Sequence, residues 1–249
     1  IPLVILFERK KFETEFNKDQ KKFIILSLLI GLSLFLGSAL QQVALLYTDV
    51  ANAAFFTIFY VPMVPIIIFI FRKKSIHWSV WPSVILCLVG GYLLTDFYNA
   101  TIRLGDTLVV LGALFWSTHI IFTGIMVLKF NLPLTVGAIQ TLIVSLFSLV
   151  IGLINEEFIL YKILNEIDSI LYAGVLSGGF AFVLQIYAQK NITPAPAAII
   201  FSLEGVFATI AAWFILDQIL NLNNILGCVF ILFGVIISQI APLLKKRTN

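Results

Sequence analysis

The sequence predicts an all-α integral membrane protein in which two five-helix halves form an inverted repeat. Three observations lead to this prediction: an apolar composition, an internal repeat and an uneven distribution of charge. Of the 249 residues, 60% are hydrophobic and only 12% are charged, and the mean hydropathy is +1.05. A soluble domain of this length needs far more polar surface, so we expect the chain to lie in a lipid bilayer.

The internal repeat aligns residues 33–94 with residues 177–238 at an offset of 144 positions, without a gap. The matched pairs include polar residues and glycine: Ser33 and Ser177, Gln41 and Gln185, Gly90 and Gly234. A shared preference for leucine does not produce matches of this kind. A duplicated set of helices is therefore the expected architecture.

A helix needs roughly 20 apolar residues to cross a bilayer. Eight stretches meet this requirement, at about 23–46, 50–71, 76–95, 106–128, 132–154, 169–189, 193–216 and 222–244. A ninth, partial stretch at Ile1–Phe7 runs directly into a basic cluster. That pattern is typical of the last turns of a helix that reaches the membrane interface.

The repeat predicts that residues 1–103 form the first half and residues 104–249 form the second. The second half opens with a span near Gly105, and its counterpart would lie about 39 residues before residue 1, given the offset of 144. We therefore expect ten spans in the complete protein, five in each half. On this interpretation the chain is truncated at its N-terminus and carries eight spans and a fragment.

Lysine and arginine are concentrated in alternate loops. One set of loops contains Arg9, Lys10, Lys11, Lys18, Lys21, Lys22, Arg72, Lys73, Lys74, Lys129, Lys190, Lys245, Lys246 and Arg247. The other set contains only Arg103 and Lys162, together with Asp49, Asp96, Asp106, Glu156, Glu157, Glu166, Asp168 and Asp217. The positive-inside rule makes the first set cytoplasmic and places both termini of the complete protein in the cytoplasm. We expect the protein to lie in the inner or plasma membrane of the cell. The rule accounts for the basic clusters, so no nucleic-acid partner is expected.

Residues 47–70, 104–128 and 189–217 carry a resemblance to a known family. Their most specific motif is AAIIFSLE-x-VFA, and GD-x₈-FW opens the second half at Gly105. These stretches resemble the drug/metabolite transporter superfamily in its EamA-type branch. The resemblance implies ten helices, two inverted halves and the movement of small polar or amphipathic solutes, usually outward.

The sequence departs from this family pattern at two places. Members commonly carry proline after the motif glutamate, where this chain has Gly205, and we expect the change to soften a bend beside the site. Members also often end that helix with Gly-Glu, where this chain has Asp217 and Gln218. We expect the second change to alter only an interface.

Glu204 is the only carboxylate away from the ends of the predicted spans, since Asp106 stands at the first residue of its span. A charge at the bilayer centre costs about 2.5–3.5 kcal/mol on insertion scales, and such residues usually face a cavity or a partner. Glu204 is therefore a candidate proton carrier or a contact for a substrate cation. The alternative is a protonated carboxyl group that holds neighbouring helices together by a hydrogen bond. A stripe of small residues on the same helix predicts a packing seam: Ala198, Ser202, Gly205, Thr209 and Ala212.

Trp116 and His119 share one face of the helix that opens the second half, as the spacing i, i+3 predicts. His119 is the only histidine deep in a span. A histidine can relay protons near neutral pH, but a neutral residue that only forms hydrogen bonds is the alternative. Trp116 is a candidate for stacking on a cationic or aromatic solute, and a purely packing role is equally open.

Four further polar residues are candidates for the substrate pathway. Gln41 and Gln185 are the duplicated pair, and their amides offer donors and acceptors without the cost of a charge. Tyr60 is the repeat partner of Glu204, and Gln140 is a weaker candidate. A role in holding helices together remains open for the two duplicated glutamines.

The sequence favours a secondary transporter, an exporter of small metabolites, amino acids or drug-like solutes that works by alternating access, with proton coupling left open. No Walker motif, metal-ligand cluster or G-x-S-x-G motif is present, so we expect no ATP, metal or other cofactor. The alternatives are an intramembrane enzyme and a non-transporting receptor or assembly protein. The expected partners are a small-molecule substrate, possible coupling protons and the lipid bilayer, and the chain is expected to be a monomer or a homodimer.

Overall fold

The structure is a computed structural model that describes residues 2–73, 75–95, 103–157, 159–215 and 217–246. Within this part of the chain there are helices and no strands. The helices are α1 (Pro2–Phe7), α2 (Arg9–Lys18), α3 (Gln20–Ala44), α4 (Val50–Thr57), α5 (Tyr60–Arg72), α6 (Val80–Leu94), α7 (Leu104–Phe130), α8 (Pro133–Asn155), α9 (Leu160–Asn165), α10 (Ile167–Leu171), a π-helical stretch (Tyr172–Ala181), α11 (Phe182–Ala188), α12 (Pro194–Phe201), α13 (Leu203–Ile215) and α14 (Leu222–Lys246). Ile1, Lys74, Asp96, Leu216 and Arg247, which the sequence analysis used, lie outside the described residues.

Seven of the eight predicted spans are helical segments long and apolar enough to cross a membrane. The third prediction, 76–95, is wrong at its start, because α6 begins only at Val80 and has 15 residues. The His77 ring nitrogen lies 2.8 Å from the Ser79 hydroxyl oxygen, and such local side-chain bonds compete with helix formation. Pro82 follows in the first turn of α6, where its missing N–H costs little. The predicted all-α membrane fold is confirmed.

Large apolar side chains are exposed along most of the helices. On α8, for example, Leu146, Leu149 and Leu153 are all exposed. A soluble protein avoids contiguous apolar surface of this kind. In a bilayer the same side chains face lipid tails, so helix association depends on close packing and hydrogen bonds.

The chain divides into two compact units. Unit 1 comprises residues 1–36 and 122–192, and unit 2 comprises residues 37–121 and 193–249. Each unit therefore takes helices from both predicted sequence halves. The predicted division into halves at residues 103 and 104 concerns the repeat and stays a prediction.

Unit 1 is built on a core shared by α3, α7, α8 and α11. Its buried members are Phe23, Leu26, Ile30, Met126, Val127, Phe130, Leu132, Val136 and Ile186. Phe12 and Phe16 of α2 pack against this core, and both rings meet Phe23 edge-on at 5.7 and 5.4 Å between centroids. The amphipathic helix α2 is thereby fixed beside the start of α3.

Glu8 attaches the start of the chain to the hairpin between α7 and α8. Its buried carboxylate accepts hydrogen bonds from the backbone N–H of Leu134 (3.1 Å) and of Thr135 (2.8 Å), and from the Thr135 hydroxyl (2.7 Å). Lys129 also pairs with Asp19, and this hydrogen bond lowers the pKa of Asp19 below its ordinary value. Glu8 thus caps α8 from outside that helix, where the first backbone N–H groups have no partner of their own.

Unit 2 contains two sets of helices that correspond under the sequence repeat. Shifting α4 by 144 residues reproduces the bounds of α12, and α5 and α6 fall on α13 and α14. The contacts between α6 and α14 are reciprocal. A Cβ at Gly90 would lie 2.7 Å from the carbonyl oxygen of Gly227, and one at Gly234 would lie 2.9 Å from that of Ser83. Ser83 and Gly227 are themselves repeat partners, so the two contacts are equivalent, as a two-fold relation between the helices requires.

The second and the seventh predicted spans are each interrupted at the same repeat position. The break between α4 and α5 follows Ile58, and the break between α12 and α13 lies at Ser202. At both breaks the backbone changes to hydrogen bonds three residues apart, as from Val61 N–H to the Ile58 carbonyl (2.9 Å) and from Gly205 N–H to the Ser202 carbonyl (3.2 Å). Pro62 explains the first break, because proline cannot donate to the carbonyl four residues before it.

Candidate functional site

The Glu204 carboxylate opens onto a cavity of about 300 Å³ within unit 2. The broken helices α4, α5, α12 and α13 form most of its wall, with contributions from α3, α6 and α14. The lining residues are Gln41, Ala54, Thr57, Ile58, Tyr60, Gly91, Leu94, Thr95, Phe201, Ser202, Glu204, Gly205, Ala208, Thr209 and Ile231. Cavities of this size and composition accommodate small molecules.

Glu204 and Tyr60 occupy matching places at the two breaks. Glu204 lies in the first turn of α13, and Tyr60 begins α5. Tyr60 is buried, whereas Glu204 is exposed at the cavity. Glu204 is the only charged side chain among the lining residues, so no lysine, arginine or histidine of the described wall neutralises it.

Four hydroxyl groups of the wall donate to backbone carbonyls of their own helices. Thr57 donates to Ala53 (2.7 Å), Thr95 to Gly91 (3.0 Å), Thr209 to Gly205 (2.8 Å) and Ser202 to Ile199 (2.6 Å). A hydroxyl has one proton and two acceptor lone pairs. These side chains therefore present mainly acceptor oxygen atoms for further contacts.

The side chain of Gln41 extends this network from α3. Its amide nitrogen donates to the Thr57 hydroxyl oxygen at 3.3 Å. Its carbonyl oxygen is the other polar atom that the amide offers. The structure thus brings together three of the predicted site residues, Gln41, Tyr60 and Glu204, at one cavity.

Trp116 and His119 belong to unit 2 but are not among the lining residues. His119 is fully buried on α7, and its ring meets the Trp116 ring edge-on at 6.2 Å between centroids. A Cβ at Gly37 would lie 3.4 Å from the Trp116 ring, so the indole packs closely against α3. Ser117 links this helix to the cavity wall, because its hydroxyl lies 3.4 Å from the Tyr60 carbonyl oxygen. A role in transport for the indole and the imidazole stays a prediction.

Gln140 and Gln185 lie in unit 1. Gln140 is buried on α8, and Gln185 is half-buried on α11. Neither residue lines the cavity of unit 2, and their predicted place on the substrate pathway stays a prediction. Gln189, which is not among the predicted site residues, is fully buried directly after α11, the helix that contains Gln185.

Four hydroxyl residues of the wall were not predicted as site residues. Ser202 and Thr209 were assigned to a packing seam, and Thr57 and Thr95 were not singled out. The seam interpretation is correct for Gly205, whose Cβ position lies 3.3 Å from a Leu94 methyl group. The repeat pairs Ser202 with Ile58, and both residues line the cavity.

A buried carboxylate elsewhere in unit 2, that of Asp106, is structural. Asp106, in the first turn of α7, accepts hydrogen bonds from the Thr48 hydroxyl and from the backbone N–H of Arg103 (2.7 Å). The Arg103 guanidinium in turn pairs with Asp49 at 2.8 Å, and both of these side chains are substantially exposed. Asp106 therefore joins the link between α3 and α4 to the start of α7.

A helical membrane protein with a small cavity between paired broken helices has the architecture of a membrane transporter. Residues 103–239, more than half of the chain, match the model of the EamA-like transporter family. The chain belongs to this family, which confirms the resemblance seen in its motifs.

Curated relatives agree with the family assignment. An uncharacterized transporter of Archaeoglobus fulgidus is 31% identical over 214 residues, which cover 84% of this chain and 66% of that protein. The chain thus spans just under two thirds of the length of this relative. The uncharacterized transporter YoaV of Bacillus subtilis is 23% identical over 94% of this chain and 80% of its own length. A transporter role is supported, and none of these names states a substrate.

A solved crystal structure is similar to the chain in fold. It superposes with a TM-score of 0.74, covering 90% of this chain and 78% of that one. The sequence identity is 15%, so this likeness bears on the fold alone.

Proposed function

We propose that this protein is a secondary transporter that exports small metabolites, amino acids or drug-like solutes by alternating access. The observation that carries the proposal is the cavity between the two broken helices, with one carboxylate at its wall. Discontinuous helices are typical of the sites of secondary transporters, because the interrupted backbone can exist only where it lines a cavity or is buried in protein.

The paired breaks also offer a physical basis for movement. At both breaks, backbone hydrogen bonds between residues four apart give way to hydrogen bonds between residues three apart. Both breaks lie beside the cavity. Local departures from α-helical geometry act as hinges, because a change in φ and ψ there costs few hydrogen bonds. On this account α5 and α13 tilt about Ile58 and Ser202 to expose the cavity to one side of the membrane at a time.

Glu204 is the candidate coupling group. It takes up a proton when the cavity holds no positively charged solute, and it releases the proton when such a solute binds. The other titratable side chains nearby are Tyr60, which lines the cavity, Cys87, whose sulfur atom lies 3.3 Å from the Ser202 hydroxyl oxygen, and Cys228, which contacts Thr209. None of them carries a charge at neutral pH in its ordinary state, so Glu204 is the group whose charge changes.

The distribution of charge supports a cytoplasmic position for the basic loops. Among the described residues, Arg72, Lys73 and Lys190 lie at one set of helix ends. Arg103, one of the two basic residues in the other set, is paired with Asp49. We infer that the protein lies in the cell membrane with the basic loops inside.

Export by cells that express Glu204→Gln tests the proposal. A hydrogen bond to a charged group contributes about 1.5–3 kcal/mol, so we expect export to fall roughly ten- to hundredfold. The matched control is Glu13→Gln, which removes an exposed carboxylate on α2 that pairs with Arg9 of the same helix. Wild-type export by the Glu204 variant would contradict the coupling role.

A further inference from the structure

We propose that the cavity of unit 2 selects solutes with a net positive charge, protonated amines or quaternary ammonium compounds, over zwitterions and anions. This inference rests on the proposed function, because it takes the cavity as the transport site and names the class of solute that fits it. Four features of the wall point to this class: its charge, its hydrogen-bonding groups, the dipole of α13 and the size of the space.

The charge of the described wall is entirely negative. Glu204 is its one charged side chain, and it is surrounded by hydroxyl, amide and apolar groups. Attraction between opposite charges is much stronger where the effective dielectric constant is low than it is in water. A zwitterion or an anion would bring a carboxylate or phosphate into this space without a basic partner, and burial of an unpaired charge is costly.

The hydrogen-bonding groups of the wall are mainly acceptors. The protons of Thr57, Thr95, Thr209 and Ser202 are directed to backbone carbonyls at 2.6–3.0 Å. The Gln41 amide nitrogen gives one of its two protons to Thr57, and its carbonyl oxygen is a further acceptor. An ammonium group is the complement of such a wall, because it has three donors and no acceptor.

The start of α13 gives no compensating site for an anion. The N-terminus of a helix ordinarily favours negative charge. Here Glu204 itself occupies the first turn of α13, so the protein already places a carboxylate where an anionic solute would bind. The volume of about 300 Å³ limits the solute to a small molecule.

The experiment compares solutes in the medium of cells that express wild-type protein, no protein, Glu204→Gln, Glu204→Asp or Glu13→Gln. Mass spectrometry in both ion modes identifies every solute that wild-type cells export above the vector level. The amount of each variant in the membrane is measured alongside, so that poor folding is recognised. Glu204→Asp keeps the charge and serves as the rescue if Glu204→Gln accumulates poorly.

We expect the exported solutes to carry an amine or quaternary ammonium group and no carboxylate or phosphate. Their export should fall roughly tenfold or more in Glu204→Gln, as loss of a charged contact predicts, should fall less in Glu204→Asp, which keeps the charge, and should stay at the wild-type level in Glu13→Gln. Exported solutes that are zwitterionic, neutral or anionic would overturn this inference and leave the transporter standing. Equal export of cations by wild type and Glu204→Gln would also overturn it. If no solute differs from the vector control in export or uptake, the proposed function itself fails.

Discussion

Glu204 places a carboxyl group in a wall that otherwise consists of hydroxyl, amide and apolar groups. Its position in the first turn of α13, directly after the break at Ser202, turns the carboxylate toward a cavity instead of a neighbouring helix. The sequence left this choice open, because hydropathy predicts the depth of a residue in the membrane but not the direction in which it points. The motif around Glu204 indicated its importance, and the cavity supports a role in contact with solute.

Thr95 provides a test of the proposal that the cavity wall offers mainly hydrogen-bond acceptors to a solute. Replacing it by valine removes the hydroxyl oxygen from the cavity and keeps the shape of the side chain. A neutral hydrogen bond contributes about 0.5–1.5 kcal/mol, so the solute concentration at half-maximal transport should rise roughly two- to tenfold. Transport kinetics of Thr95→Val measure this change.

The matched control for Thr95→Val is Thr141→Val. Thr141 also donates to a carbonyl four residues earlier, at 2.9 Å, but it lies on α8 and does not line the cavity. We expect unchanged kinetics for this variant. An equal effect of both substitutions would mean that the loss arises from the helices and not from the cavity wall.

Asp106 and Asp49 both contact Arg103 but differ in burial. Asp106 is 1% exposed and accepts two hydrogen bonds, whereas the Asp49 side chain is 64% exposed. Asp106→Ala leaves buried donors without a partner, so we expect it to lower the free energy of unfolding by about 1–3 kcal/mol. Asp49→Ala should change it by about 1 kcal/mol or less, as is usual for exposed pairs. Thermal unfolding in detergent distinguishes the two, and a larger loss for Asp49→Ala would contradict this assignment.

At the level of helices, the contact between α6 and α14 depends on glycine. Gly90→Ala and Gly234→Ala each place a Cβ within 2.9 Å of a backbone carbonyl, which cannot move as a flexible side chain can. Overpacking typically costs about 1–3 kcal/mol, so we expect both variants to unfold at lower temperature and the double variant to be less stable than either.

Gly152 on α8 is the control for these substitutions. A Cβ at this position meets nothing within 4 Å, so Gly152→Ala should leave stability unchanged or raise it by up to about 1 kcal/mol. The same stability measurement applies. Destabilisation by Gly152→Ala equal to that of Gly90→Ala would mean that close packing at Gly90 does not set the effect.

Hydropathy and the repeat predicted the helices well but not where they break. The spans 50–71 and 193–216 are continuous in composition, so a hydropathy window cannot register an interruption of one or two residues. Pro62 gave a signal for the break after Ile58, because it lacks the N–H that would bond to that carbonyl. The break at Ser202 has no proline, and it arises where the serine hydroxyl bonds to the Ile199 carbonyl. Serine side chains often bend helices in this way.

At the scale of the whole molecule, the repeat and the compact units describe different relations. The repeat predicts two consecutive halves of the sequence, whereas each compact unit draws helices from both predicted halves. Side chains decide which helices pack together, and the sequence alone gives no distances between spans. Gln41, Tyr60 and Glu204 line one cavity, whereas Trp116 and His119 are not among its lining residues, and a role for any of them in binding a solute stays a prediction.

Orientation in the membrane is a prediction at this scale. Single cysteines at Lys73 and at Glu156, in a background that lacks Cys87 and Cys228, report which side each loop faces. If the basic loops are cytoplasmic, a membrane-impermeant thiol reagent added to intact cells labels the cysteine at position 156 and not the one at position 73. Labelling of position 73 alone would mean that the protein has the opposite orientation.

Whether this cavity is the transport site is tested most directly by its accessibility from the two sides of the membrane. In the same background, Thr209→Cys places a thiol in the cavity wall, and Leu146→Cys places one on the exposed apolar face of α8 as a control. We expect a small hydrophilic thiol reagent to reach position 209 from either side of the membrane. Transported solute should slow this reaction, and the modified protein should no longer transport. We expect no reaction at position 146. A cysteine at position 209 that stays unreactive from both sides, or transport that continues after its modification, would contradict the assignment of this cavity as the transport site.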